Sequence, residues 1–289
     1  MKKYVLIFAL ICAIIGVGAM FYRPYKPSVS VVMLTYKRGD IVGKAIESIL
    51  AQTYKDFELI VLSDGSLDNT DEVVKKYQEK DKRIRYYKNS KNMGIAYSRN
   101  RALKLAKAPY IMIMDDDDIC LDTRIEKQVE FLNSNPQIDV VAGQIKGFPL
   151  VPENHNAIAS MLIQHNIVGN ANVMYRSDFV KKHDIFYDES LEISEDWDYW
   201  LKMLFNGAKF ASINDDVLVR DPLSFKHHIR DFEKGNKIIR EKVGKFFSPD
   251  NWKKFYEAKS CEKVKMIAKK DIMTKDFEEH LIDANCRAL

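Results

Sequence analysis

An α/β fold, doubly wound around a largely parallel sheet, is what this 289-residue chain predicts. Three observations carry that reading. Short apolar runs alternate with longer segments of helical periodicity from Val29 to Met114, the pattern of strands joined by helical crossovers. Polar turns punctuate the alternation, at Thr35–Gly39, Ser63–Ser66 and Asn92–Gly94. The last run, Tyr110–Met114, ends in four consecutive carboxylates, Asp115, Asp116, Asp117 and Asp118.

In chain order, Val29–Leu34 is the first strand. Asp40 can cap the helix that follows, whose Ile41, Val42, Ala45, Ile46, Ile49 and Leu50 recur at helical spacing. Phe57–Leu62 is a second strand, and Val73, Val74 and Tyr77 mark the next helix. Ile84–Tyr87 is a third strand; Asn92-Met93-Gly94 opens a helix over Ile95–Lys107, and Pro109 stops it before the central strand. Beyond the acidic cluster, Thr123–Asn135 reads as a helix and Val140–Ala142 as a strand. The stretch Gly147–His165 has weak periodicity and reads as loop-rich, a candidate acceptor-side region. Ala171–Tyr175 is extended, and Ser177–His183 and Ser194–Asn206 are helical.

The four carboxylates set the chemistry. Like charges a few ångströms apart raise one another's pKa, so ionising all four in a compact fold is costly. A divalent cation relieves that cost. Mg²⁺ or Mn²⁺ takes oxygen ligands and fills its remaining positions with water and substrate phosphates. In open α/β sheets, ligands bind beyond the carboxyl ends of the strands. A strand ending in Asp-x-Asp is therefore a candidate metal–diphosphate site. The alternative is an acidic, solvated loop in which Asp118 or Asp122 caps the next helix.

Composition narrows the partners. Lys and Arg number 45 against 41 Asp and Glu, a net charge of +4, too balanced for nucleic acid as the main partner. Cys12, Cys120, Cys261 and Cys286 are scattered, with neither a disulfide framework nor zinc-ligand spacing.

Lys2 and Lys3 precede Tyr4–Tyr22, an apolar run without a charge, closed by Arg23-Pro24. At ~1.5 Å per residue it would reach about 28 Å, close to a ~30 Å hydrocarbon core. A signal anchor is the expectation, with a cleaved signal peptide as the competitor because Val17-Gly18-Ala19 resembles a cleavage site. After Pro222 the chain turns basic and aromatic, and it reads as a helical tail packed on the sheet domain or resting on an anionic membrane. The expected organisation is an anchor and linker over 1–27, a catalytic domain over 28–225 and a basic helical extension over 226–289.

The motifs resemble a known family. Val29–Tyr36, Ser48–Tyr54, Glu58–Ser66 with Asp68-Asn69-Thr70, Arg83–Tyr86, Asn92–Asn100 and Asp115–Asp118 follow one another as in family-2 glycosyltransferases of the GT-A fold. Glu195-Asp196-Trp197 is similar to the family's Glu-Asp motif. The resemblance runs from about residue 28 to 205. It implies a Rossmann-like GT-A domain that transfers a sugar, with inversion and with Mn²⁺ or Mg²⁺, from a nucleoside diphosphate donor.

Site roles follow from that resemblance. Asp64 matches the carboxylate that accepts a hydrogen from a uracil ring, and Tyr36 matches a residue beside the base. Ser63 departs from the family, which often carries a second Asp there. Asp117 is the expected metal ligand; Asp115 and Asp116 are expected at the ribose or the metal, and Arg99 near the diphosphate. Asp196 is the expected general base, in a helix's first turn where the dipole favours its ionised form. Trp197 is either core or an acceptor platform, and His227 and His228 read as a surface pair. The expected partners are a nucleotide sugar, a glycan or lipid-linked acceptor, and a membrane through the N-terminal helix. The expected location is the bacterial inner membrane, single-pass, with a cytoplasmic catalytic domain; a Golgi type II protein is the alternative. A non-catalytic sugar-nucleotide or glycan binder on the same fold is the competing function.

Overall fold

The computed structural model describes residues 26–220, 234–235 and 237–242. Eight strands form one sheet: β1 (Val29–Thr35), β2 (Phe57–Ser63), β3 (Ile84–Lys88), β4 (Tyr110–Asp115), β5 (Asp118–Cys120), β6 (Val140–Ile145), β7 (Val173–Arg176) and β8 (Phe210–Arg220). Their order is β3-β2-β1-β4-β7-β6-β8-β5. Within residues 26–220, seven α-helices surround it: α1 (Val42–Leu50), α2 (Thr70–Lys80), α3 (Ile95–Leu105), α4 (Arg124–Ser134), α5 (His155–Leu162), α6 (Ser177–Lys182) and α7 (Glu195–Phe205).

Period-two alternation along the strands divides the core. Val29, Val31 and Met33 of β1 point to the face covered by α1, α2 and α4. Val32 points to the other face, which α3, α5 and α7 cover. Helix α1 meets its face through Val42, Ala45, Ile46 and Ile49, all buried. Burying each of the two isoleucines stabilises the fold by roughly 1.5–3 kcal/mol. Asp40 does not cap α1. The residue before the helix is Ile41, without a side-chain cap, and the carbonyl of Arg38 accepts the first amides instead.

The sheet corrects the expected topology. Strands β3, β2, β1 and β4 are parallel, as a Rossmann-like winding requires. Beyond β4 the sheet is mixed: β7 is antiparallel to both β4 and β6, β8 is parallel to β6, and β5 is antiparallel to β8. The chain is thus not a mostly parallel, doubly wound fold throughout. Only Asp116 and Asp117 separate β4 from β5, too few for the crossover of a dozen or more residues that a parallel neighbour needs, and β5 pairs instead with β8 at the far edge. The expected loop Gly147–His165 contains helix α5, and β5 and β8 are strands that the sequence reading passed over.

Buried Arg124 ties the two halves together. Its Nη2 donates to the carbonyls of Ile113 in β4 and Val173 at the start of β7, both at 3.1 Å, and its Nε donates to Gln128 Oε1 at 3.1 Å.

Among the described residues, no helix is long and apolar enough to cross a membrane. The longer helices run 11 residues, about 16 Å at ~1.5 Å per residue, half of a hydrocarbon core. The expectations of a membrane-spanning anchor, a membrane partner and a single-pass inner-membrane location are therefore withdrawn. The apolar run on which they rested, and the pair His227 and His228, lie outside the described residues.

Candidate active site

Parallel register builds the site's floor. Thr35 of β1 pairs with Ser63 of β2, and Leu34 pairs with Asp115 of β4, so three strands end at one level. Beyond their ends opens a cavity of about 530 Å³. Tyr36, Asp64 and the turn Asp115–Asp117 line one side of it, and Arg99, Asn166 and Asp196 line the other. Every residue that the motifs single out for the donor, the metal or the base therefore faces the same space.

Asp64 is buried and accepts three hydrogen bonds. Its Oδ1 takes Asn89 Nδ2 at 2.6 Å and the Met93 amide at 2.9 Å; its Oδ2 takes the Gly94 amide at 3.0 Å. A carboxylate offers about four lone-pair sites, so one remains for a ligand. These bonds also hold the turn that starts α3, where Gly94 sits at φ 88°. Gly65, next to Asp64, needs its φ of 71°, and a Cβ there would lie 2.3 Å from the Lys91 backbone. Tyr36 stands at the mouth, with Lys37 Nζ 5.1 Å from its ring centroid.

The acidic turn crowds buried carboxylates together. Burial, with Asp117 and Asp115 nearby, pushes Asp116 up to about 7. Burial and the charge of Asp115 likewise push Asp118 up to about 7, against Arg220 at 3.7 Å and Arg124. Asp116 Oδ2 and both Asp118 oxygens have no hydrogen-bond partner among the described residues. Arg38 Nη2 lies 3.7 Å from Asp117. Among the described residues, no group of three or more His, Cys, Asp or Glu is arranged to hold a metal ion. The expectation that Asp117 and Asp115 bind Mn²⁺ or Mg²⁺ is therefore not supported by any ligand cluster among the described residues; the turn presents carboxylates, not a preformed site.

Arg99 lines the cavity and is buried; its Nη1 donates to Glu195 Oε1, and its Nη2 lies 3.6 Å from Asp115. Its guanidinium also lies 5.4 Å from the Tyr187 ring centroid. It thus connects the acidic turn to the start of α7.

Asp196 lies in the first turn of α7, after Ser194 in the left-handed region at φ 58°. Its Oδ1 accepts from the Trp197 amide at 2.8 Å and its Oδ2 from Asn166 Nδ2 at 3.1 Å. Burial, assisted by the charge of Glu195, raises its pKa to about 6, although Arg99 and both hydrogen bonds pull the other way. Sequence reasoning missed Asn166, whose Oδ1 is buried without a partner. No local motif marks it. Trp197 is core: fully buried, with Nε1 donating to the Leu162 carbonyl at 2.6 Å.

Residues 30–191 match the model of the Glycosyl transferase family 2. The chain belongs to that family. It is a glycosyltransferase, moving a sugar from a nucleotide-sugar donor. An uncharacterized glycosyltransferase of Methanocaldococcus jannaschii is 36% identical over 205 residues, 67% of this chain and 70% of that one. A UDP-Glc:alpha-D-GlcNAc-diphosphoundecaprenol beta-1,3-glucosyltransferase of Escherichia coli is 34% identical over 64% of this chain and 74% of its own length. Two further relatives, from Haemophilus influenzae and Rickettsia typhi, are spanned over only 59% and 61% of their lengths. Among solved structures, the mannosyltransferase of Pyrobaculum calidifontis with GDP-Man and Mn²⁺ gives a TM-score of 0.60 at 15% identity, covering 97% of this chain and 90% of that one. S. aureus TarS 1-349 in complex with UDP gives 0.58 at 18%, covering 91% and 92%. At such identities these two speak for the fold alone.

Proposed function

We propose that this glycosyltransferase adds single sugars, with inversion, from a uridine diphosphate donor to a hydroxyl of a glycan or lipid-linked acceptor in surface-glycan synthesis. Residues 28–225 form the catalytic unit in this reading, and 226–289 extend it. One observation carries the proposal: Asp196, raised to about 6, opens onto the same cavity as Asp64 and the acidic turn. A carboxylate of that pKa is ionised at neutral pH and strong enough to accept a hydroxyl proton. A cavity of about 530 Å³ lies within the usual range for small-molecule sites.

Asp64 would accept the uracil N–H with its remaining lone pair. Tyr36 would flank the base, and Asp115 and Asp116 would meet the ribose. The crowded carboxylates and the Asp116 oxygen without a hydrogen-bond partner would fit a divalent cation held by Asp117 and Asp115, with diphosphate oxygens and water completing its shell. That cation would neutralise charge on the departing diphosphate. Asp196 would take the acceptor's proton as its oxygen attacks the anomeric carbon, on the face opposite the leaving group. The E. coli relative's named UDP donor and lipid-diphosphate acceptor support the same reading.

The test is calorimetric titration of the full-length chain with UDP and with GDP, each with and without Mn²⁺. UDP binding that requires Mn²⁺ and falls at least tenfold in Asp117→Asn is expected, since the ion's contribution amounts to several kcal/mol. GDP preference, or equal binding without the ion, would overturn the donor assignment.

A further inference from the structure

The described part of the C-terminal extension, residues 234–235 and 237–242, is helical and lies against the wall that carries Asp196. Its contacts are specific. Ile239 is buried in the core cluster that contains Trp197 and Trp200. Gly235 is buried so closely on Ser194 that a Cβ would fall 2.0 Å from its Oγ. Lys242 Nζ donates to Asp188 Oδ2 at 2.5 Å and to Asp198 Oδ1 at 2.9 Å. Arg240 Nη2 lies 3.4 Å from His165 Nδ1, one residue from Asn166.

We propose that Lys242 and Gly235 are positioning residues for Asp196, which the C-terminal segment clamps from behind by joining the loop before α7 to the helix itself. This rests on the reading of Asp196 as the base. The argument is geometric. Asp188 lies in the loop leading to α7, and Asp198 follows Asp196 by two residues inside it. One ammonium bridging the two fixes how the helix leaves the loop. Ser194, held left-handed at the junction, is covered by a residue without a side chain. Hydrogen bonds to charged groups are the stronger ones, and here they hold Asp188 well below the ordinary carboxylate range, with the Lys242 ammonium as the main cause. The same junction sets the angle at which Asp196 meets Asn166 and the cavity. An acceptor-side base is thus tuned by residues that do not line the cavity.

The experiment compares the full chain with K242A, K242R and G235A by amide hydrogen exchange and by carbon-13 titration of the Asp196 carboxyl. In K242A, amides of 188–198 are expected to exchange about tenfold faster, with β1 and β2 unchanged. The Asp196 midpoint should rise, because its hydrogen bonds from Trp197 and Asn166 favour the charged form. K242R should restore both, and G235A should reproduce the alanine effect by displacing Ser194. Wild-type exchange and midpoint in K242A would overturn the proposal, as would faster exchange spread evenly over the sheet. UDP titration of the same samples reads the functional assignment separately. Failure there leaves the exchange result standing on its own.

Discussion

The two walls of the cavity are held by different means. On the donor wall, Asp64 and the acidic turn sit within a residue or two of the ends of β2 and β4, strands that run parallel to β1 and in register with it. The Asp64 carboxylate is seated by one segment, with Asn89, Met93 and Gly94 lying 25, 29 and 30 residues on, and Gly65 supplies the positive-φ backbone of the turn after β2. On the acceptor wall, Asp196 is held by pieces from several separate segments. Asn166 reaches it across 30 residues of chain, and its neighbour Glu195 meets Arg99 across 96. Fixed strand ends can present a diphosphate site with little adjustment. A base whose supports come from separate segments can be adapted to different acceptors without disturbing the donor.

The largest expected effect separates the walls functionally. Asp196→Asn keeps the size and one acceptor oxygen, enough for the Trp197 amide, but removes the base, so turnover should fall ~10²–10⁴-fold. Nucleotide affinity should stay within about twofold, because the donor wall is untouched. Steady-state kinetics beside calorimetry checks this. Full turnover in the variant would remove Asp196 from the chemistry.

Arg99 is where the walls join, and the next effect is on stability. Its guanidinium and the Glu195 carboxylate are both buried, exposed by 5% and 7%. Breaking a buried pair strands the other charge and costs about 3–5 kcal/mol. Arg99→Met should therefore lower the unfolding free energy by that amount in urea titration, while Glu195→Gln added to it should recover part of the loss. A change below about 1 kcal/mol, the ordinary surface-pair value, would mean that the walls are mechanically independent.

How much of this was legible in the sequence follows the same division. The parallel strands, their order of appearance and the candidates Asp64, Asp115, Asp117 and Asp196 could be read because each rests on a short pattern of neighbours. Strand direction beyond β4 could not, since nothing in Val173–Arg176 distinguishes a parallel from an antiparallel partner. Helix α5 was within reach: Asn154 accepts the Ala157 amide at 2.9 Å as an N-cap, and Ile158, Ala159 and Leu162 form its buried stripe. Arg99 was found, but its partner Glu195 was not. Its position in a helix motif says nothing of a partner 96 residues on. Asn166 carries no local signal at all; only the fold brings its amide to Asp196.

The smallest effect sharpens that last point. Asn166 Nδ2 donates to Asp196 Oδ2 at 3.1 Å, a bond that is stronger to the ionised carboxylate and so favours it. Asp196 titrates at about 6. Below that value the base is protonated and turnover declines, so the wild-type rate should fall on the acid side through about pH 6 and be flat above it. Asn166→Ala removes one bond to the charged form and leaves the Trp197 amide in place. The acid limb should then move to higher pH, with a loss of roughly three- to tenfold near pH 5.5 and almost none at about pH 8. Asn166→Leu, which keeps the bulk, should show the same displacement, separating the hydrogen bond from the space it fills. An acid limb that stays near pH 6 in both variants, with a uniform loss at every pH, would make Asn166 a packing residue and leave the acceptor wall to Arg99 and the segment behind α7.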